Sequence, residues 1–290
     1  MTAVDQVAPP AYRFAFAPRE LDAIAACNDE HGFAIVRGAI TPALADEIRT
    51  DITATVTGAP VAALESRCDV AFIERAPSLL KLLECDPYMR LQHRLLGTTD
   101  LVMHRTAAII RQPGSPPIGW HTDMPLLPPA PRSANDALNR GEWPNGMWFY
   151  LTGSSPETGG LAVIADSHRP DWTPPAGYAL SGNRQFVHRA GDQAVHGGME
   201  IPGAVQLVTA ANDLIVFAAR TYHAANPHLG GAARLSAGMA LRPRRPRLTV
   251  PWPLPESARR FIAATPPHLR RYVDGYTGIV ADWRPEVPAA

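Results

Sequence analysis

"DLIVFAARTYHAANPHLGGAARLSAGMAL", residues 213 to 241, is the stretch on which the fold reading rests. Two apolar runs, 213–219 and 233–241, flank a segment rich in Asn, Pro and Gly. Runs of this length bounded by turn residues read as strands rather than helices. His223 stands just beyond the first run and Arg234 opens the second. If the two strands pair as a hairpin through "ANPHLGGA", the imidazole and the guanidinium approach each other across the pair.

The same texture extends backward. "LVMHRTAAII" (101–110), "GMWFYLTG" (146–153), "GGLAVIA" (159–165) and "GAVQLVT" (203–209) read as further strands joined by turn-rich connections. Before residue 100 the pattern is helical. Residues 1–15 read as a loose arm, and 18–32 as a helix ended by Gly32. The segment 41–58 reads as a second helix, capped by Thr41, with Pro42 in its first turn. Leu44, Ile48, Ile52 and Val56 form its stripe and Gly58 its stop. A third helical region runs from 78 to 96, interrupted near Asp86–Pro87. "PESARRFIAATPPHLRRYVDGY" reads as one or two short C-terminal helices. Helices first and many strands after predict a mainly β sandwich or barrel with flanking α-helices, not a doubly wound sheet. No strand–GxGxxG–helix unit is present. The expected organisation is one domain over 1–290: a mostly helical part (1–100), a strand-built core (101–245) and a helical extension (246–290).

Bulk properties exclude several classes. Hydrophobic residues make up 46% and charged residues 19% of the 290, which suits a globular chain. Formal net charge is zero, so nothing global points to nucleic acid or an anionic membrane surface. No run approaches the roughly 18 apolar residues of a membrane span, and "MTAVDQVAPPAYRFAF" has no signal-peptide pattern. Cys27, Cys68 and Cys85 are odd in number and lack CxxC spacing, which predicts free thiols and a cytoplasmic location.

A second short stretch, "GWHTDMP" (119–125), holds His121 and Asp123. In an extended segment residues i and i+2 share a face, so both side chains reach one point. A metal ion and a hydrogen-bonded pair are the two ordinary reasons, and spacing alone does not choose. With His223 added, two imidazoles and a carboxylate can surround a metal and leave open positions, the donor set of non-haem Fe(II) oxygenases. Arg234 would then offer a planar, permanently charged partner to a carboxylate.

Taken together, "WHTD", "GGLAVIADSH", "HAAN" and an Arg eleven residues after His223 resemble the phytanoyl-CoA dioxygenase family of Fe(II)/2-oxoglutarate-dependent oxygenases. The resemblance runs from the "HGFAIVRG" region to about residue 245. It implies a double-stranded β-helix, a distorted cupin-like jelly roll. It implies His121, Asp123 and His223 as iron ligands, Arg234 on the far carboxylate of 2-oxoglutarate, and O2 as oxidant. Gln112 and Thr106 are further candidates near the co-substrate. The implied reaction is hydroxylation, or another C–H oxidation, of a small metabolite or natural-product intermediate, with succinate and CO2 released. Family members that halogenate replace the carboxylate ligand, and Asp123 is retained here. Departures from the family pattern are Asn212–Asp213 for Gly-Asp, "ADSH" (165–168) for "PGSH", and Ala225 for Ser.

Trp120, Leu126, Trp148 and His196 are candidate substrate contacts. His104 and Thr106 are expected on one strand face, and His168 as a loop anchor rather than a ligand. His188, Asp192 and His196 form a weaker second cluster. The "RPRRPR" run (242–247) could hold the phosphates of an acyl-CoA, although a solvated charge run is the plainer reading. The long connection 124–145 is expected to act as a lid over substrate. Within the family the alternative is an acyl-CoA hydroxylase. Two rivals from other classes also remain open: a Zn- or Mn-dependent hydrolase or isomerase on the same ligands, and a non-catalytic binder. The expected partner is a small molecule, with no nucleic acid and no membrane, and the chain a monomer or homodimer.

Overall fold

The computed structural model describes residues 10–56, 65–141 and 143–286. Its strands are β1 (Ala15–Phe16), β2 (Phe33–Val36), β3 (Ser66–Asp69), β4 (Leu101–Arg111), β5 (Ile118–His121), β6 (Asn145–Tyr150) and β7 (Leu161–Ile164). They continue with β8 (Tyr178–Leu180), β9 (Val187–Arg189), β10 (Ala204–Gln206), β11 (Leu214–Ala218), β12 (His223–Ala225) and β13 (Arg234–Pro243). A seven-stranded sheet in the order β1-β2-β11-β6-β13-β4-β3 faces a four-stranded sheet in the order β10-β7-β12-β5. This is the double-stranded β-helix, a jelly-roll closure of two sheets.

Alternation sorts the side chains into layers. Phe33, Ile35, Tyr150, Leu161, Val163, Ile215 and Phe217 pack with one another between the sheets. Their neighbours Ala34, Val36, Met147, Phe149, Leu214 and Val216 turn to the other face of the large sheet. There they meet helices α1 (Leu21–His31), α2 (Pro42–Val56), α3 (Pro77–Leu80) and α4 (Asp86–Leu96). The outer face of the small sheet carries its own cluster around Trp120, Ile164, Val187 and Tyr222.

Several expectations shift in detail. β11 and β13 do not form a hairpin, because β6 lies between them. The chain instead leaves the large sheet after β11, adds β12 to the small sheet, and returns as β13. The N-terminal hundred residues are not only helical, since β1, β2 and β3 edge the large sheet. In α2 the buried stripe runs through Ala45, Ile48, Ile52 and Val56, with Leu44 only half-buried. Thr41 Oγ1 does accept the Leu44 N–H at 3.2 Å. The stop expected at Gly58 and the first nine residues of the arm lie outside the described residues.

Helix α1 ends where Gly32 adopts φ 82°, a left-handed conformation that favours glycine. A Cβ there would sit 2.5 Å from His168 Nδ1 and 2.7 Å from Thr221 Oγ1. That close approach lets Thr221 Oγ1 donate to the Gly32 carbonyl at 2.7 Å. The helix stop thereby fixes the turn that enters β12. Among the described residues no helix is long and apolar enough to cross a membrane.

Candidate functional site

β12 and β5 are antiparallel neighbours, and His223 stands directly opposite His121. Period-two alternation turns Trp120 outward and both imidazoles inward. Thr122 is also turned away, its Oγ1 donating to the Ala219 carbonyl at 3.0 Å, which brings Asp123 to the same side as His121. The result is a cluster whose ligand atoms all lie within 4.8 Å of one another. The imidazole centroids are 4.3 Å apart, and His223 Nε2 is 3.9 Å from Asp123 Oδ2.

The far sides of both rings are committed. His121 Nδ1 meets the Gly119 carbonyl at 2.8 Å, and His223 Nδ1 meets the Thr221 carbonyl at 3.0 Å. A carbonyl accepts only, so each Nδ1 carries the proton and each Nε2 keeps its lone pair for the shared point. Bonds of this kind orient metal-binding histidines. Burial first, and the adjacent His121 second, lower the His223 pKa to about 4, so it is neutral near neutral pH. Two neutral imidazoles and one carboxylate fit a divalent transition metal such as iron(II).

The cluster opens into a cavity of about 290 Å³ between the sheets, with mostly apolar walls that include Ile109, Trp148, Leu161 and Phe217. Gly238 on β13 lies beneath Trp148. A Cβ there would meet the Met147 carbonyl oxygen at 2.5 Å and the indole at 3.0 Å. Arg234 lines the same cavity and is buried. Its Nη1 donates to the Gly159 carbonyl, its guanidinium carbon sits 4.7 Å from the centre of the Tyr150 ring, and its Nε has no acceptor. Burial lowers its pKa, yet arginine stays charged. A buried cation with a free donor suits a carboxylate delivered by a ligand.

The remaining candidates divide. Thr106 lines the cavity, with its hydroxyl accepting the Ile73 N–H at 3.2 Å. Trp148 lines it as well. Gln112 lies past the end of β4 and does not line it. Trp120 is excluded by alternation: its Nε1 donates to the Gly198 carbonyl at 2.7 Å on the outer side of the small sheet. His196 is also outside, 3.1 Å from Glu200 and packed on Tyr178. Leu126 is 52% exposed and off the cavity. His168 ties its loop to the Asp29 carbonyl at 3.0 Å. Among the described residues, the cluster of His188, Asp192 and His196 offers no metal geometry. In the basic run, the Arg242 Nη groups donate to the carbonyls of Pro243, Pro246 and Gly275 while its Nε is buried without a partner. Arg242 does not line the cavity, and Arg244 pairs with Asp100 and Asp274.

Sequence reading missed two groups, Arg105 and Asn139, and placed a third, His104, on the wrong face. β4 and β13 shift register between Ala240 and Leu241, which leaves His104 without an opposite partner. This bulge separates His104 from the expected face-sharing with Thr106: the imidazole stacks toward Trp143, whereas Thr106 bonds Ile73. Arg105, one residue on, lines the cavity. The connection 124–145 is not a free lid either. It contains helix α5 (Ala134–Asn139), capped by Ser133, and the Asn139 side-chain amide donates to the Asp123 carbonyl at 2.8 Å. A charged residue amid the apolar "LVMHRTAAII" was the available signal for Arg105. Nothing local marks Asn139.

The family model described as Phytanoyl-CoA dioxygenase (PhyH) matches residues 28–236. No curated protein matches the chain. Among solved structures, the epimerase SnoN in complex with Fe3+, alpha ketoglutarate and nogalamycin RO is similar at TM-score 0.57 and 19% identity, covering 78% of this chain and 84% of that one. HygX from Streptomyces hygroscopicus, with nickel and 2-oxoglutarate bound, is similar at TM-score 0.58 and 15% identity, with 78% and 87% covered. The alpha ketoglutarate dependent carbocyclase SnoK from nogalamycin biosynthesis gives TM-score 0.53 and 18% identity, with 77% and 86% covered.

Proposed function

The chain belongs to the phytanoyl-CoA dioxygenase family of iron(II)- and 2-oxoglutarate-dependent oxygenases, and from that premise we propose that it hydroxylates a C–H bond of a small molecule held in the cavity beside His121, Asp123 and His223. One observation carries the reading: two imidazoles in register across β5 and β12, with Asp123 beside them and Arg234 in the same cavity. Iron(II) held by the three side chains, with 2-oxoglutarate and O2, supplies the oxidation of an unactivated C–H bond and releases succinate and CO2.

The chain's own groups do the positioning. The Gly119 and Thr221 carbonyls hold the imidazoles in one tautomer. Arg234 is the counter-charge for the far carboxylate of 2-oxoglutarate, steadied by the Tyr150 ring. The apolar walls keep water from the reacting bond. Halogenating family members replace this carboxylate, and its retention as Asp123 supports oxygen insertion over halogenation. A hydrolase on the same ligands has no use for a buried Arg234. Because two similar folds are titled epimerase and carbocyclase, the product has to be identified as well as the succinate.

The test is a small-molecule screen with iron(II), 2-oxoglutarate and O2, reading succinate and product mass together. The reading expects a product heavier by one oxygen, formed in step with succinate and absent for His223→Ala. Turnover supported by zinc or manganese without O2 would replace it with the hydrolase or isomerase.

A further inference from the structure

Three charged side chains line the cavity among the described residues: Asp123, Arg234 and Arg105. Under the proposed function the first two have partners, iron(II) and the far carboxylate of 2-oxoglutarate. Arg105 has none. Its Nη2 donates to Asn139 Oδ1, which also accepts from Trp143 Nε1 at 3.2 Å. Its guanidinium carbon lies 4.7 Å from the centre of the Trp143 ring. Its Nε is buried and has no acceptor. Burial lowers its pKa to about 10, against the pull of Asp123, so it remains a cation at neutral pH. Arg105 is only half-buried and lines the cavity.

A desolvated guanidinium with an idle N–H is costly unless something answers it. Asp123 pulls on it but is committed to the metal under the proposed function, and the other groups at the cavity carry no negative charge. Burial holds Tyr150 protonated, and the Cys68 thiol has its pKa raised to about 11, so neither carries a charge at neutral pH. Arg111, the next buried cation, does not line the cavity and spends its donors on the Gly159, Asn226 and Pro116 carbonyls. Charge counting gives the same answer. The doubly charged iron and the Asp123 carboxylate leave one positive charge. The dianionic co-substrate and Arg234 leave one negative charge. Arg105 is the surplus.

We propose that Arg105 anchors a carboxylate carried by the substrate, so that the substrate class is small monocarboxylates with an apolar body. This rests on the function proposed above and adds the chemical class to it. Asn139 and Trp143 hold the guanidinium in place. Because Asn139 also bonds the Asp123 carbonyl, the anchor and the metal ligand are tied to one side chain. The carboxylate end is thus set at a fixed offset from the metal, and the apolar body lies along Ile109 and the wall toward Ile118. Arginine offers a carboxylate a planar fork that lysine cannot reproduce.

The experiment uses the full chain loaded anaerobically with iron(II) and 2-oxoglutarate, and two probes of one shape, cyclohexanecarboxylate and cyclohexanecarboxamide. Calorimetric titration is expected to show the acid binding wild type about tenfold or more tighter than the amide. Arg105→Gln should bind the two alike and weakly. Arg105→Lys, the variant least disturbing to folding, should recover part of the preference. The 2-oxoglutarate midpoint, read from visible charge-transfer absorption, should be unchanged in both variants. Equal binding of acid and amide by wild type, or no binding of the acid, overturns the proposal. A raised 2-oxoglutarate midpoint in Arg105→Gln overturns it by moving Arg105 to the co-substrate. Failure of wild type to form the absorption band before any probe is added would instead be failure of the underlying function.

Discussion

At the scale of single residues, the site is a set of side chains whose spare hydrogen-bonding capacity points inward. Arg234 shows it most simply, as a buried guanidinium with an idle Nε. Truncating one partner of a buried charge pair costs on the order of 2–5 kcal/mol. Arg234→Ala is therefore expected to raise the 2-oxoglutarate requirement by roughly 30-fold or more while iron loading changes little, and Arg234→Lys should recover only part. An unaltered requirement in a co-substrate titration would take the role from Arg234. His104 makes a different prediction. Both its ring nitrogens are buried without partners, and burial, with Arg105 and Arg242 nearby, holds its pKa well below the usual histidine value. The unfolded state therefore binds more protons below pH ~6.5, so stability falls as pH drops through that value. His104→Phe should flatten this loss by at most about 1.4 kcal/mol per pH unit between pH 6.5 and 5. Urea midpoints of both proteins at pH 7 and pH 5 check it, and parallel losses would contradict it. Residue-level reading of the sequence singled out His121, Asp123, His223 and Arg234, and the structure brings all four to one cavity, because each lies at or just beyond a strand end with an informative neighbour. It misplaced Trp120 by not applying to it the alternation that brings His121 inward.

At the scale of elements, the site is made by register and by one short helix. β5 and β12 have four and three residues, too short for any periodic signal, yet their pairing brings the two imidazoles together. The long strands β4 and β13 were legible as apolar runs, but the bulge at His104 was not, since it depends on the partner strand. The same limit explains the hairpin expected between β11 and β13: sequence adjacency suggests pairing, and the intervening β6 comes from far along the chain. Helix α5 was hidden inside a Pro-rich connection. Its Asn139 links the Asp123 backbone, Arg105 and Trp143. Groups that orient metal ligands are commonly worth 10–100-fold in metal affinity. Asn139→Ala is thus expected to weaken iron(II) binding by about tenfold in an anaerobic titration, and an unchanged affinity would show that α5 does not support the site.

At the scale of the whole molecule, the cavity depends on parts distant in sequence. Helix α6 (Glu256–Ala264) and helix α7 (Arg270–Val273) place Phe261, Tyr272, Val273 and Tyr276 in the same core as α2 and β4. Ile279 reaches the cavity wall, and Tyr276 Oη donates to Glu74 Oε1 at 2.8 Å. Each buried large side chain contributes roughly 1.5–3 kcal/mol, a large share of the 5–15 kcal/mol typical of a folded domain. A chain ended after Pro255 should therefore lose cooperative unfolding, and a native-like urea transition would contradict this. The claim on which the rest depends is that His121, Asp123 and His223 hold one iron(II) to which 2-oxoglutarate binds. Anaerobic titration of the metal-free protein with iron(II) and 2-oxoglutarate, followed by visible charge-transfer absorption, tests it most directly. The account predicts saturation at one iron per chain in wild type and no band in His223→Ala. A band of wild-type intensity and affinity in His223→Ala would contradict it.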